Sequence, residues 1–175
     1  MSRNKLLKMI LSALFLALAY VMPLLTGQIP EISSMLCLMH IPVLLCGFIC
    51  GWQWGLSVGF IAPLFRSLTL GMPPLFPTAL CMAFELAIYG LFAGLLHKLF
   101  PKKHPYIYCS LIISMLIGRI VWGIMMFIFI AINGGAFTFS AFLAGAFFDA
   151  WPGIIVQILL IPPVVMAFEK TKVLK

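Results

Sequence analysis

The sequence predicts an all-α integral membrane protein, a bundle of six transmembrane helices with both termini in the cytoplasm. Of the 175 residues, 64% are hydrophobic and only 9% are charged. A soluble domain of this length needs roughly a quarter charged residues to stay hydrated. The apolar runs are long and lack strict alternation, so helices are favoured over barrel strands. We therefore expect the whole chain, 1–175, to form one membrane domain.

The individual elements follow from the apolar runs and from the turn-forming residues between them. The first run is too long for the apolar core of a secretion signal and no clear cleavage site follows it, so we expect it to remain as a helix. The second and third runs are short for a span, which leaves a tilted or re-entrant arrangement open. The predicted spans are 6–25, 36–52, 54–70, 78–99, 106–132 and 141–168.

Basic residues set the expected orientation. Of the 11 Lys and Arg, all but Arg66 and Arg119 fall in three clusters that border apolar runs, at 3–8, 98–103 and 170–175. Cytoplasmic loops of membrane proteins carry such an excess of positive charge. An even number of spans places all three clusters inside. The same placement argues against nucleic acid as the partner of a chain with a net charge of +7.

Charged residues inside the predicted spans indicate a polar site, because each costs about 2.5–3.5 kcal/mol at the centre of a helix. Counted from the outer loops at ~1.5 Å per residue, Glu85 and Asp149 lie ~10–13 Å below the outer surface. Arg119 lies near the middle of its span, Arg66 near an outer end, and His40 at the outer start of the second span. We expect a pocket that opens to the outside and binds a small ligand. Structural salt bridges are the alternative.

Aromatic residues at helical spacing extend this predicted pocket. Tyr89 shares a helix face with Glu85, and Trp122 shares one with Arg119. Aromatic rings beside a few polar groups are typical of a pocket for a flat, partly polar molecule, although ordinary core or lipid packing explains them as well. The predicted substrate-binding residues are Arg66, Glu85, Arg119, Asp149, His40, Tyr89 and Trp122.

Small residues form a second pattern. Ala13 and Ala17 make a small-x-x-x-small pair in the first span, and glycines repeat every four residues over 47–59. Such residues let helix backbones approach closely in lipid, either within this chain or against another membrane protein. No phosphate loop, zinc helix or nucleophile elbow occurs, so we expect no catalytic residue, metal or cofactor. The five cysteines are expected to be small buried side chains.

The sequence resembles the substrate-binding S components of energy-coupling factor (ECF) transporters over nearly its whole length. The resemblance rests on the six-helix core, on the pair Ala13 and Ala17, and on 40–67, where a proline precedes regularly spaced glycines. It implies capture of a vitamin-like micronutrient from outside and docking, through Ala13 and Ala17, onto a membrane T component with two cytosolic ATPases. The loop 26–34 resembles the family's lid, and 71–77 would form a second wall.

The resemblance implies a multi-pass protein of the plasma membrane but does not name the substrate. Riboflavin, pantothenate, folate, lipoate, queuosine precursors and cobalamin building blocks all remain open. Three other functions are the alternatives: a stand-alone secondary carrier or channel, an assembly subunit without a ligand, and an intramembrane lipid-modifying enzyme with Glu85, Asp149 or His40 as its acid or base.

Overall fold

The computed structural model describes residues 3–26, 36–101, 103–135 and 138–171, which are mostly helical and contain no β-strand within these ranges. One irregular helical turn, Leu75–Ala79, lies directly before the helix that begins at Leu80, and another, Ala144–Phe148, follows the helix that ends at Leu143. The predicted all-α architecture is thereby confirmed for the described residues. The helices are α1 (Arg3–Val21), α2 (His40–Cys50), α3 (Trp52–Leu70), α4 (Leu80–Leu99), α5 (His104–Ile132), α6 (Phe139–Leu143) and α7 (Trp151–Thr171).

The number of complete membrane crossings stays a prediction. α2 is apolar but has 11 residues, which span about 16 Å at 1.5 Å per residue, roughly half of the ~30 Å hydrocarbon core. α3 has 19 residues but is not among the apolar segments of spanning length. Within the described residues, four segments are long and apolar enough to cross: Arg3–Leu24, Leu75–Leu99, His104–Ile132 and Trp151–Thr171.

Two helices begin later than the predicted spans. α2 starts at His40 rather than at residue 36, because the chain first turns at Cys37, whose φ is 47°. The His40 backbone N–H donates to the Cys37 carbonyl at 3.0 Å within this turn. The predicted span 141–168 is interrupted before Trp151. Pro152 lies in the first turn of α7, where its missing N–H costs no helical hydrogen bond, so this proline marks a helix start and not a kink.

Glycines bring α2, α3 and α4 into backbone contact. A Cβ added to Gly55 would lie 2.6 Å from the carbonyl oxygen of Gly90, and one added to Gly47 would lie 2.5 Å from the same oxygen. Gly59 faces the backbone of Leu86, so α3 and α4 run antiparallel. The glycine repeat therefore packs helices of this chain together, which is one of the two roles predicted for it.

Basic residues gather at one end of the bundle, which we call the basic end. Lys5 near the start of α1 and Lys98 near the end of α4 line the same cavity there, together with the turn between α2 and α3. The end of α7 joins them, because Oε1 of Glu169 lies 3.2 Å from Nε2 of His97. The first helix thus begins, and the last helix ends, at the same end of the bundle, and the cytoplasmic orientation of this end stays a prediction.

Candidate functional site

A buried ionic cluster forms where α2, α4 and α5 meet. Oε1 of Glu85 on α4 lies 3.1 Å from Nη1 of Arg119 on α5 and 3.6 Å from Nε2 of His40 at the start of α2. The relative exposures of the three residues are 1%, 7% and 4%. A charge inside a membrane bundle requires partners of this kind, because lipid cannot solvate it.

Tyr89 and Cys37 complete this cluster. The ring centroid of Tyr89 lies 5.3 Å from that of His40, and the tyrosine is fully buried. Its ring has room because Gly118 stands opposite, where any Cβ would overlap the ring. Sγ of Cys37 lies 3.4 Å from Nη2 of Arg119. Sequence reasoning had placed this cysteine only among small buried side chains, and it carries no charge or motif that could have marked it as a contact of Arg119.

Several polar atoms of the cluster lack a hydrogen bond of normal geometry to the part of the chain that the structure describes. Among the described residues, no hydrogen bond of normal geometry reaches either ring nitrogen of His40, the hydroxyl of Tyr89 or Nε of Arg119. Oε1 of Glu85 also lacks a hydrogen bond of normal geometry, although it lies within ion-pair distance of Arg119. An unpaired buried polar group costs ~1–3 kcal/mol, and most such groups have a partner. His40 and the Tyr89 hydroxyl nevertheless face the Glu85 carboxylate, so a ligand that bound here would compete with these contacts.

The cluster lies far from the basic end of the bundle. Glu85 lies about 21 Å along α4 from its end at Leu99, and Arg119 lies about 22 Å along α5 from its start at His104, at ~1.5 Å per residue. Both helix ends belong to the basic end. The cluster therefore lies about 21 Å from the basic end, and its depth in the membrane stays a prediction.

Two predicted site residues lie apart from the cluster. Arg66 on α3 is buried, and its Nη1 donates a 2.9 Å hydrogen bond to the backbone carbonyl of Tyr20 near the end of α1. Asp149 is exposed in the turn before α7 and forms no ion pair with any residue that the structure describes. The structure therefore does not bring these two charges to Glu85, and their role in binding substrate stays a prediction.

Trp122 also packs elsewhere. Its ring stacks on Phe142 of α6 with 6.4 Å between the ring centroids. Gly145 lies against the same indole, since a Cβ there would come within 2.8 Å of the ring. The contacts of Trp122 connect α5 to the segment that follows it in the chain, and they match the packing role that the sequence had left open. A contribution of Trp122 to substrate binding stays a prediction.

The predicted docking pair lies on an open face of α1. Ala13 and Ala17 are both exposed, whereas Phe15 and Ala19 turn inward to the core. Leu14, beside the pair, is 53% exposed. We call this surface the α1 face: Ala13, Leu14, Ala17 and Leu18. A flat apolar face with small residues at its centre permits close approach of another helix.

Comparison with protein families identifies the class of this chain. A family model described as "ECF transporter, substrate-specific component" matches residues 7–165. The match includes the ionic cluster, the α1 face and the glycine repeat. The chain belongs to this family. A search of curated proteins and a search of solved structures returned no match.

Membership of the family settles the coarse function. An S component is the substrate-binding membrane subunit of an importer and is not an enzyme. This S component is accordingly a multi-pass protein of the plasma membrane. The resemblance stated from the sequence is confirmed, and the lipid-modifying enzyme is excluded.

Proposed function

We propose that this S component captures a small vitamin-like micronutrient from outside the cell and presents it for ATP-driven import by a T component and two cytosolic ATPases. The observation that supports the proposal is the buried cluster formed by His40, Glu85, Tyr89 and Arg119, in which several polar atoms lack a hydrogen bond of normal geometry to the described residues. A purely structural ion pair would be expected to satisfy these atoms within the protein, since unpaired buried groups are costly.

The chemistry of the cluster defines what it can recognise. Arg119 offers donors to a carboxylate or carbonyl group, whereas Glu85 accepts from an amine, amide or hydroxyl. His40 and Tyr89 both donate and accept, and their rings provide flat apolar surface. The cluster therefore suits a small molecule with one acceptor-rich edge and one donor-rich edge. Such a ligand satisfies several buried groups at once, which is the usual source of specificity in a small-molecule site.

The test begins with the ligand itself. The full chain is purified in detergent, any bound small molecule is extracted and identified by mass spectrometry, and its dissociation constant is measured by calorimetry. Tyr89→Phe removes one hydroxyl and keeps the ring. Loss of one buried hydrogen bond worth ~1–3 kcal/mol weakens binding about 5-fold to 150-fold. The matched control is Tyr106→Phe, an exposed tyrosine at the start of α5 near the basic end.

The expected result is a weaker affinity for Tyr89→Phe and wild-type affinity for Tyr106→Phe. Equal affinities in both variants would show that the ligand binds elsewhere. A preparation that carries no ligand and binds none of the candidate vitamins would contradict the proposed capture altogether.

The α1 face supports the second half of the proposal. Leucine at Ala13 and Ala17 would fill the space that a partner helix needs for close approach. We expect the double variant to fold and bind ligand normally but to lose co-purification with the T component and its ATPases. The control carries leucine at Ala141, which is exposed on α6. If the double variant co-purified with the T component as well as the wild type does, the α1 face would not be part of the interface.

A further inference from the structure

A cavity of about 590 Å³ opens at the basic end of the bundle, far from the ionic cluster. Its walls come from the start of α1, the turn between α2 and α3, and the end of α4. Lys5 and Lys8 line one side, Lys98 lines another, and Trp52 and Trp54 lie at the turn. Neither the capture of substrate nor the α1 face uses this cavity.

The lining of the cavity is positively charged, and Glu169 approaches it only through its ion pair with the lining residue His97. No Asp or Glu is among the described residues that line it, whereas three lysines are. None of Lys5, Lys8 and Lys98 forms an ion pair within the part of the chain that the structure describes. Three cations around one concave space repel one another and attract an anion. The cavity is therefore complementary to a small group of high negative charge.

The position of the cavity identifies the source of that group. It lies where α1 begins and α4 ends, at the level where membrane helices leave the hydrocarbon core. Trp52 and Trp54 suit this level, because tryptophan prefers the boundary between lipid and water. Phe48 and Ile49 add an apolar wall beside the lysines. At this level a phospholipid has its phosphate on the water side and its acyl chains on the hydrocarbon side, which matches the lysines and the apolar wall of the cavity.

We propose that this cavity binds the headgroup of an anionic phospholipid. The phosphate contacts Lys5, Lys8 and Lys98, and the glycerol region lies against Phe48 and the tryptophan pair. Basic pockets between transmembrane helices are typical binding sites for anionic headgroups, and each lysine near such a surface strengthens binding by a factor of about five. A lipid held here joins α1 to α4 and to the α2–α3 turn.

The experiment titrates the purified full chain with phosphatidylglycerol or with phosphatidylcholine of the same acyl chains, and native mass spectrometry counts bound lipid. The double variant Lys5→Gln with Lys98→Gln removes two of the three cations. We expect its affinity for phosphatidylglycerol to fall roughly 30-fold, about five-fold for each lysine, with no change for phosphatidylcholine. Lys103→Gln is the matched control, because Lys103 is exposed at the same end but does not line the cavity.

Three results would overturn the proposal. The first is equal binding of phosphatidylglycerol by the double variant and by Lys103→Gln. The second is displacement of the lipid by millimolar inorganic phosphate with the same dependence on the two lysines, which would make the occupant a free anion. The third is unchanged lipid binding together with loss of co-purifying T component, which would assign the cavity to a protein partner.

Discussion

The ion pair between Glu85 and Arg119 leads to a quantitative prediction about stability. The two charges lie 3.1 Å apart, which corresponds to an attraction of about 5 kcal/mol at an effective dielectric constant of ~20. Glu85→Gln removes one charge and leaves Arg119 at 7% exposure without a counter-charge. Breaking a buried pair from one side costs ~3–5 kcal/mol. We therefore expect the free energy of unfolding to fall by about 3–5 kcal/mol.

A double variant separates the interaction energy of the ion pair from the effects of the two single substitutions. Arg119→Met alone should cost a similar amount, because it leaves the buried Glu85 carboxylate with only His40 beside it in place of a permanent positive charge. Combining Glu85→Gln with Arg119→Met removes both charges, and we expect it to cost less than either single change. Unfolding is measured by titrating SDS into mixed micelles and following tryptophan fluorescence. Asp149→Asn is the control, since this exposed acid should shift stability by no more than ~0.5 kcal/mol.

Additivity would refute this reasoning. A double variant whose loss equals the sum of the two single losses would show that the charges do not depend on each other. A loss for Glu85→Gln no larger than that of Asp149→Asn would show that water reaches the pair.

Three further predictions concern the packing of the bundle, and each is read from the same unfolding titration. Gly55→Ala places a Cβ 2.6 Å from the Gly90 carbonyl oxygen, and we expect it to lower the free energy of unfolding by ~1–3 kcal/mol. The control Ser57→Ala, at an exposed position of the same helix, should leave this free energy unchanged. Equal losses in the two variants would contradict close backbone contact. Arg66→Met removes the hydrogen bond to the α1 backbone and should cost ~1.5–3 kcal/mol; no loss would mean that the bond is not formed. Glu169→Gln breaks a partly exposed pair and should cost less than ~1 kcal/mol, so a larger loss would show that the end of α7 is more tightly held.

The ionic cluster could be predicted from sequence because charge in lipid is costly. Glu85 and Arg119 stand out in otherwise apolar runs, and each needs a partner from another helix. The spacing of four residues then placed Tyr89 on the face of Glu85. Simple rules therefore predict that Glu85 and Arg119 are buried and paired, whereas they do not distinguish His40 and Tyr89 from the other residues of the predicted pocket. The structure adds which atoms meet and which remain unpaired.

The positions of Arg66 and Asp149 could not be predicted in the same way. Both residues are charged within predicted spans, and the free-energy cost of a charge in lipid requires a partner for each of them. This cost does not determine which group the partner is. Arg66 donates a hydrogen bond to the backbone carbonyl of Tyr20. A backbone carbonyl occurs at every residue, so the sequence does not mark this partner. Asp149 was counted into a continuous span, yet the chain breaks its helix just before Trp151 and leaves this acid exposed. Short helical breaks next to a proline are difficult to distinguish from kinks by sequence alone.

The attachment of α1 has a mechanical consequence. The helix is fixed to its neighbours at two levels: Sγ of Cys46 on α2 lies 3.6 Å from Oγ of Ser12, and Arg66 on α3 holds the Tyr20 carbonyl. We therefore expect α1 to move together with both neighbouring helices when a partner binds its outer surface. Because α2 begins at His40, we expect a movement of α1 that carries α2 with it to change the distance from this histidine to the Glu85 carboxylate.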